Sequence, residues 1–152
     1  MARISPIRLS ELNPGIWKMR TTIRFGQCDP AGIVYTPVYF DLFNVAIEEW
    51  YPASLGIDYY ALLRDEKVGV GYGHASADFL RVSAMGDVLE IAIVVTDIGR
   101  SSFTLTLHAF KGEEEAVRGR LVVVTTSLEK HKAIPIPAAL RQALEAYRDR
   151  CD

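Results

Sequence analysis

The 152-residue sequence predicts an α+β fold, an antiparallel sheet laid over one face of a single long helix. Three observations point there. An alternating segment precedes one long amphipathic stretch, further strand-like segments follow Val68 in succession, and Met85-Gly86-Asp87 and Lys111-Gly112-Glu113-Glu114 read as tight turns between them. Consecutive strands joined by short turns pair antiparallel.

Residues 1–16 read as an irregular lead-in, with Pro6, Pro14 and Gly15 as punctuation. A first strand is expected over Trp17 to Phe25, where Met19, Thr21, Ile23 and Phe25 alternate with charged and polar residues. The main helix is expected to begin with Thr36 as N-cap and Pro37 at its first position. Tyr39, Phe40, Leu42, Phe43, Ala46, Ile47 and Trp50 recur at helical spacing, and Asp41, Asn44 and Glu48 gather opposite. So wide an apolar arc implies a helix wrapped by other structure. Tyr51-Pro52 ends or interrupts it, and a short helical piece is expected at Asp58 to Arg64. Strands are then expected over Asp87 to Ile98, Ser102 to Phe110 and Val117 to Leu128, and a closing helix over residues 137–149. The chain reads as one domain, 1–152, without repeats or low-complexity tracts.

Bulk properties narrow the function. A net charge of -2 and the lack of a Lys/Arg track argue against nucleic acid as a partner. Apolar runs such as Ile91-Ala92-Ile93-Val94-Val95 are strand-sized, too short to cross a bilayer, and the N-terminus lacks the apolar core of a signal peptide. Cys28 and Cys151 form no CxxC or Cys/His spacing, and the three histidines suggest no metal site. The expectation is a cytoplasmic protein with no membrane partner.

The chemistry concentrates in Arg24-Phe25-Gly26-Gln27-Cys28-Asp29-Pro30-Ala31-Gly32-Ile33-Val34-Tyr35-Thr36-Pro37. Asp29 sits in a turn made by Pro30 and Gly32, just ahead of the long helix. A helix start carries N–H groups without intrahelical partners and a partial positive charge. It can hold the oxygen of a polarised carbonyl while a carboxylate attacks or activates water. Acyl transfer, most simply hydrolysis, is the reaction this pattern suits.

The run Phe25 to Val34 resembles that of the 4-hydroxybenzoyl-CoA thioesterase family, within the hotdog-fold acyl-CoA thioesterases. The similarity extends from about Met19 to Leu128 and includes Ala77-Asp78-Phe79, Asp87-Val88-Leu89 and Gly99-Arg100-Ser101-Ser102-Phe103. The resemblance implies a hotdog, a curved antiparallel sheet around one helix, pairing edge to edge into a homodimer and commonly a homotetramer with active sites at the interface. It implies hydrolysis of a 4-hydroxybenzoyl-CoA-like or short- to medium-chain acyl-CoA, with coenzyme A as part of the substrate and no cofactor.

Carried over residue by residue, the resemblance makes Asp29 the catalytic carboxylate, as nucleophile or general base, where its position alone would also suit a turn aspartate. It makes the Thr36 backbone N–H the oxyanion donor. Gly32 supplies a backbone shape that a larger residue would resist. Glu49 lies beside Leu42 and Val45, off the polar stripe; it reads either as a second catalytic carboxylate or as a solvated surface group. Arg100 matches an arginine associated with CoA phosphates and equally reads as plain surface charge, next to Ser101 where some relatives are basic. His74, in a Gly-rich run, falls near the expected acyl pocket or is structural. Tyr35, Tyr39, Phe40, Tyr72 and Phe79 either line an aryl pocket or form core. Gln27 stands where the best-known relative has a carboxylate, and Cys28 reads as a small hydrophobe. The rival readings are a non-catalytic acyl-thioester-binding module and a dehydratase, the latter disfavoured by the lack of a histidine in the Asp29 loop.

Overall fold

The computed structural model describes residues 3–152. The strands are β1 (Lys18–Thr22), β2 (Val68–Phe79), β3 (Val88–Ile98), β4 (Ser102–Lys111), β5 (Glu114–Ser127) and β6 (Lys132–Ala133); the helices are α1 (Thr36–Trp50), α2 (Tyr59–Arg64) and α3 (Ala138–Cys151). All strands join one antiparallel sheet in the order β1-β3-β4-β5-β2, with β6 paired to the end of β5. The sheet curls around α1 in the expected hotdog arrangement.

Packing follows the side-chain periods. Tyr39, Leu42, Phe43, Ala46, Ile47 and Trp50 are the buried stripe of α1. They meet the inward faces of β3, β4 and β5, including Leu89, Ile91, Phe103, Leu105, Leu121 and Val123. Gly119 on β5 sits directly under Phe43: a Cβ there would lie 2.6 Å from the ring. The missing side chain therefore sets how closely helix and sheet approach.

Several boundaries differ from expectation. β1 stops at Thr22, and Phe25–Gln27 forms a 3-10 turn instead of its last residues. Tyr35, not Thr36, is the N-cap of α1, because its N–H is held by the Gln27 carbonyl at 2.9 Å in an extended conformation. Thr36 thus becomes the first helical residue. At Tyr51–Leu55 the helix widens into a π turn; Pro52 cannot donate to the α ladder, and Gly56, with φ +65°, closes the turn onto the Tyr51 carbonyl. Asp58 caps α2 through the Tyr60 and Ala61 N–H groups. β5 begins at Glu114 because Gly112, φ +63°, allows a tight reversal after Lys111.

The lead-in is more ordered than its sequence suggests. It makes a 3-10 turn at Leu9–Glu11, and Ile7, Leu9 and Leu12 pack on a second apolar cluster of Ile16, Ala92 and Phe110. Glu115, fully buried, fastens it: its carboxylate accepts the Ile7 N–H at 3.1 Å while meeting His108 at 2.5 Å and Arg118 at 2.5 and 2.9 Å. Burial pushes this carboxyl up, but the bonds from His108, Arg118 and Ile7 outweigh that and hold it down at about 2. No helix among the described residues is long and apolar enough to cross a membrane.

Candidate functional site

The Asp29 loop is a small closed hairpin between β1 and α1. Cys28 bridges Val34, flanked by Asp29 N–H to Ile33 O and Tyr35 N–H to Gln27 O, both 2.9 Å. Gly32 has φ +84° and donates to the Asp29 carbonyl, so the tight reversal needs a residue without Cβ at this point. The Asp29 side chain folds back as Pro30 and Ala31 turn away, and Oδ1 accepts the Ala31 N–H at 2.9 Å. Oδ2 takes no protein hydrogen bond among the described residues. The half-buried carboxylate borders an open cavity of about 590 Å³ lined by Phe25, Gly26, Cys28, Pro30, Gly32, Ala84 and Met85.

The start of α1 opens on a neighbouring cavity of about 180 Å³, walled by Ile33, Val34, Tyr39, Phe79, Leu80 and Ser83 and lined also by Thr36. Thr36 is exposed, and its N–H has no protein acceptor among the described residues. The partial positive charge of the helix start is therefore uncompensated there. Tyr39 is buried against Phe79, ring centroids 5.6 Å apart, and burial pushes its phenol up, so it stays neutral. The two cavities adjoin but share no lining residue. Between them runs the hydrogen bond from Val34 N–H to the Ser83 carbonyl, 2.9 Å. Within one chain the Asp29 carboxylate and the Thr36 N–H therefore open into different cavities, separated by this bonded pair of segments.

The other sequence candidates lie elsewhere. Glu49 is exposed near the far end of α1, roughly 20 Å along the helix from Thr36. Its neighbour Glu48 is the half-buried one and accepts the Tyr60 hydroxyl at 3.1 Å. Arg100 is exposed in the β3–β4 turn, and its carbonyl accepts the Ile136 N–H. The β2–β3 loop that borders Asp29 is at the opposite end of β3, roughly 30 Å of strand away. His74 is exposed and turned to the outer face of the sheet. A bulge at Gly73 causes this: Tyr72 pairs with Val123, inward, but His74 pairs with Val122, outward. Tyr72 reaches back to Asn44 on α1, well away from the Asp29 loop. Tyr35 is exposed at the helix cap, and Phe40 packs edge-on to Phe43. Within one chain, then, Asp29 and Gly32 line one cavity, Thr36, Tyr39 and Phe79 line its neighbour, and Glu49, His74 and Arg100 line neither.

Sequence reasoning missed the opposite wall, residues 80–85. Its signal was apolar residues in a turn region: Val82 and Met85 are 64% and 61% exposed, where solvated loops are ordinarily polar. The loop is clipped by Gly86 N–H to Ile23 O and by Asp87, whose carboxylate accepts the Ala84 N–H at 2.8 Å and meets Lys111 at 2.9 Å. The Ala84 bond, then Lys111, holds the Asp87 carboxyl below its ordinary range. Arg81, on the rim of the Thr36 cavity, pairs with Glu114 at 3.1 Å.

Known proteins match this sequence and fold. A 1,4-dihydroxy-2-naphthoyl-CoA hydrolase of Nostoc punctiforme is 31% identical over 123 residues, covering 81% of this chain and 77% of its own. One from Synechococcus elongatus is 26% identical over 134 residues, covering 88% and 98%. Among solved structures, a gentisyl-coenzyme A thioesterase superposes with TM-score 0.74 at 25% identity over 85% of this chain and 99% of its own. A 1,4-dihydroxy-2-naphthoyl-CoA thioesterase from Synechocystis has the same fold, with TM-score 0.77 at 20% identity over 85% and 95%. The profile of the Thioesterase-like superfamily matches residues 23–144, and with most of its length inside that match the chain belongs to this superfamily.

Proposed function

We propose that this chain is an acyl-CoA thioesterase acting on hydroxyaryl thioesters, the class that contains 4-hydroxybenzoyl-CoA and the compounds named for its relatives. The observation that carries the reading is the Asp29 loop itself, a carboxylate with one oxygen open to a cavity, seven residues ahead of a helix start whose Thr36 N–H is unpartnered. In the reaction the Thr36 N–H receives the carbonyl oxygen as it becomes an oxyanion. Asp29 supplies the carboxylate by one of two routes. It adds to the carbonyl carbon, expelling the CoA thiolate, and water then hydrolyses the mixed anhydride. Alternatively it takes a proton from water, whose oxygen adds to the carbon before the C–S bond breaks. Either route yields the free acid and CoA-SH and needs no cofactor.

The aryl preference is supported by Tyr39 and Phe79 in the Thr36 cavity, with Phe25 and Met85 across the Asp29 cavity. A volume near 180 Å³ suits a compact ring better than a long chain. Assembly is part of the proposal. β2 is a twelve-residue edge strand, paired on one side only by β5 and exposed along most of its second half, and pairing with a second copy would remove that edge. Arg100 and Glu49 can serve a site only where another copy brings them to it. Release of CoA over a panel of hydroxyaryl, benzoyl and aliphatic thioesters tests the reading. Turnover highest on hydroxyaryl thioesters is expected. Binding without turnover across the panel would leave the acyl-binding module instead.

A further inference from the structure

Gln27 touches neither cavity, yet three of its polar groups engage the backbone that carries the site. Its side-chain Oε1 accepts the Arg24 N–H at 2.8 Å, and its own N–H returns to the Arg24 carbonyl at 3.0 Å. Together they close the 3-10 turn Phe25–Gln27, the side-chain bond being the reciprocal half of a capping box. Its carbonyl accepts the Tyr35 N–H at 2.9 Å, the bond that makes Tyr35 the N-cap and leaves the next N–H, that of Thr36, free.

The turn is otherwise held by the Cys28 N–H on the Phe25 carbonyl at 3.2 Å and by a long contact of the Cys28 thiol with the Arg24 carbonyl at 3.8 Å. None of its residues is buried; Phe25 is 82% exposed, and a Cβ on Gly26 would meet no atom within 4 Å. Gly26 also adds backbone freedom that packing does not remove. The geometry therefore rests on hydrogen bonds, and the Gln27 Oε1 bond is the short one that depends on residue type. Beyond Gln27, the Cys28–Val34 bridge and the Asp29–Ile33 bond form a two-strand clip, so a shift at Gln27 moves Asp29 and Tyr35 together.

We propose that Gln27 is a positioning residue for the reaction: its carboxamide oxygen, by closing the turn on Arg24, fixes the backbone frame that carries both Asp29 and the Thr36 N–H. The inference rests on the thioesterase reading above and adds a residue to it. What the role demands is an acceptor of this length. Glutamate provides one; methionine matches the length without a comparable acceptor, and asparagine is one methylene short.

The test compares Gln27→Met, Gln27→Asn and Gln27→Glu, with CoA release giving kcat and KM and thermal melting giving stability. Because the turn buries nothing, all three variants are expected to melt within about 4 °C of wild type, as loss of one cap implies. Gln27→Met and Gln27→Asn are expected to lose about 10- to 100-fold in kcat with KM within about 3-fold, the cost of misplacing reacting groups by up to an ångström. Gln27→Glu is expected to recover most of that kcat. Wild-type kcat in the Met or Asn variant, a loss confined to KM, or a Glu variant as impaired as Met would each overturn the inference. Asp29→Asn in the same assay separates the two readings. If it abolishes turnover while Gln27→Met does not, only the role of Gln27 falls; if it leaves turnover intact, the assignment of Asp29 falls and that of Gln27 with it.

Discussion

Asp29 gives its N–H to Ile33 and takes the Ala31 N–H on Oδ1, so the second carboxylate oxygen is the one left for the cavity. That much is local chemistry, and the sequence carried it: Asp-Pro-Ala-Gly encodes the turn, and Gly32 adopts the positive φ its position implied. Ser83 was invisible for the opposite reason. It reaches the loop through its carbonyl, a group every residue possesses, from a strand connection distant in sequence. Gly119 belongs to the same class, since its value lies in the Phe43 ring that α1 lowers onto it. Phe43 is fully buried and has no room to withdraw. Gly119→Ala is therefore expected to destabilise the protein by about 1–3 kcal/mol, seen as a fall in Tm of several degrees. An unchanged Tm would mean that the helix–sheet spacing yields more easily than the packing indicates.

Among elements, α1, β3 and β4 follow their sequence periods on the face turned to the main core, although the other face of β3 and β4 is also buried at Ala92, Thr104, His108 and Phe110. β2 departs from any period. Its glycines carry no face preference, and the bulge at Gly73 reverses the side of everything after it, which is why His74 is turned from the helix. The lead-in was read as irregular because its anchors are backbone groups meeting a buried acid on another element. Those anchors make a pH dependence. Glu115 sits at about 2 when folded against an ordinary 4.5, so its ionised form favours the folded chain above about pH 4.5. The contribution is lost as pH falls from there toward 2. Melting curves are expected to drop steeply across that window in wild type. In Glu115→Gln they should start lower at neutral pH, by about 3–5 kcal/mol of stability, and fall less steeply. Identical pH profiles for the two proteins would show that the lead-in is held by other means.

At the scale of the whole molecule, the curled sheet around α1 was legible from strand order and from a resemblance in one loop. The composition of a complete site was not, because Arg100 and Glu49 are at opposite ends of the subunit from Asp29. The long free edge of β2 offers the means to bring such ends together. Sedimentation equilibrium is expected to return twice or four times the chain mass of 16.9 kDa, with turnover falling as the protein is diluted into single chains. A fully active species of 16.9 kDa would contradict the proposed assembly. The proposed reaction turns on one carboxylate, that of Asp29. The most direct measurement is kcat for CoA release by Asp29→Asn, which keeps the side chain's size and removes its charge, on the thioester that wild type turns over fastest. A loss of about 100-fold or more, with the fold intact by circular dichroism, is the predicted result; a rate equal to wild type would contradict the account.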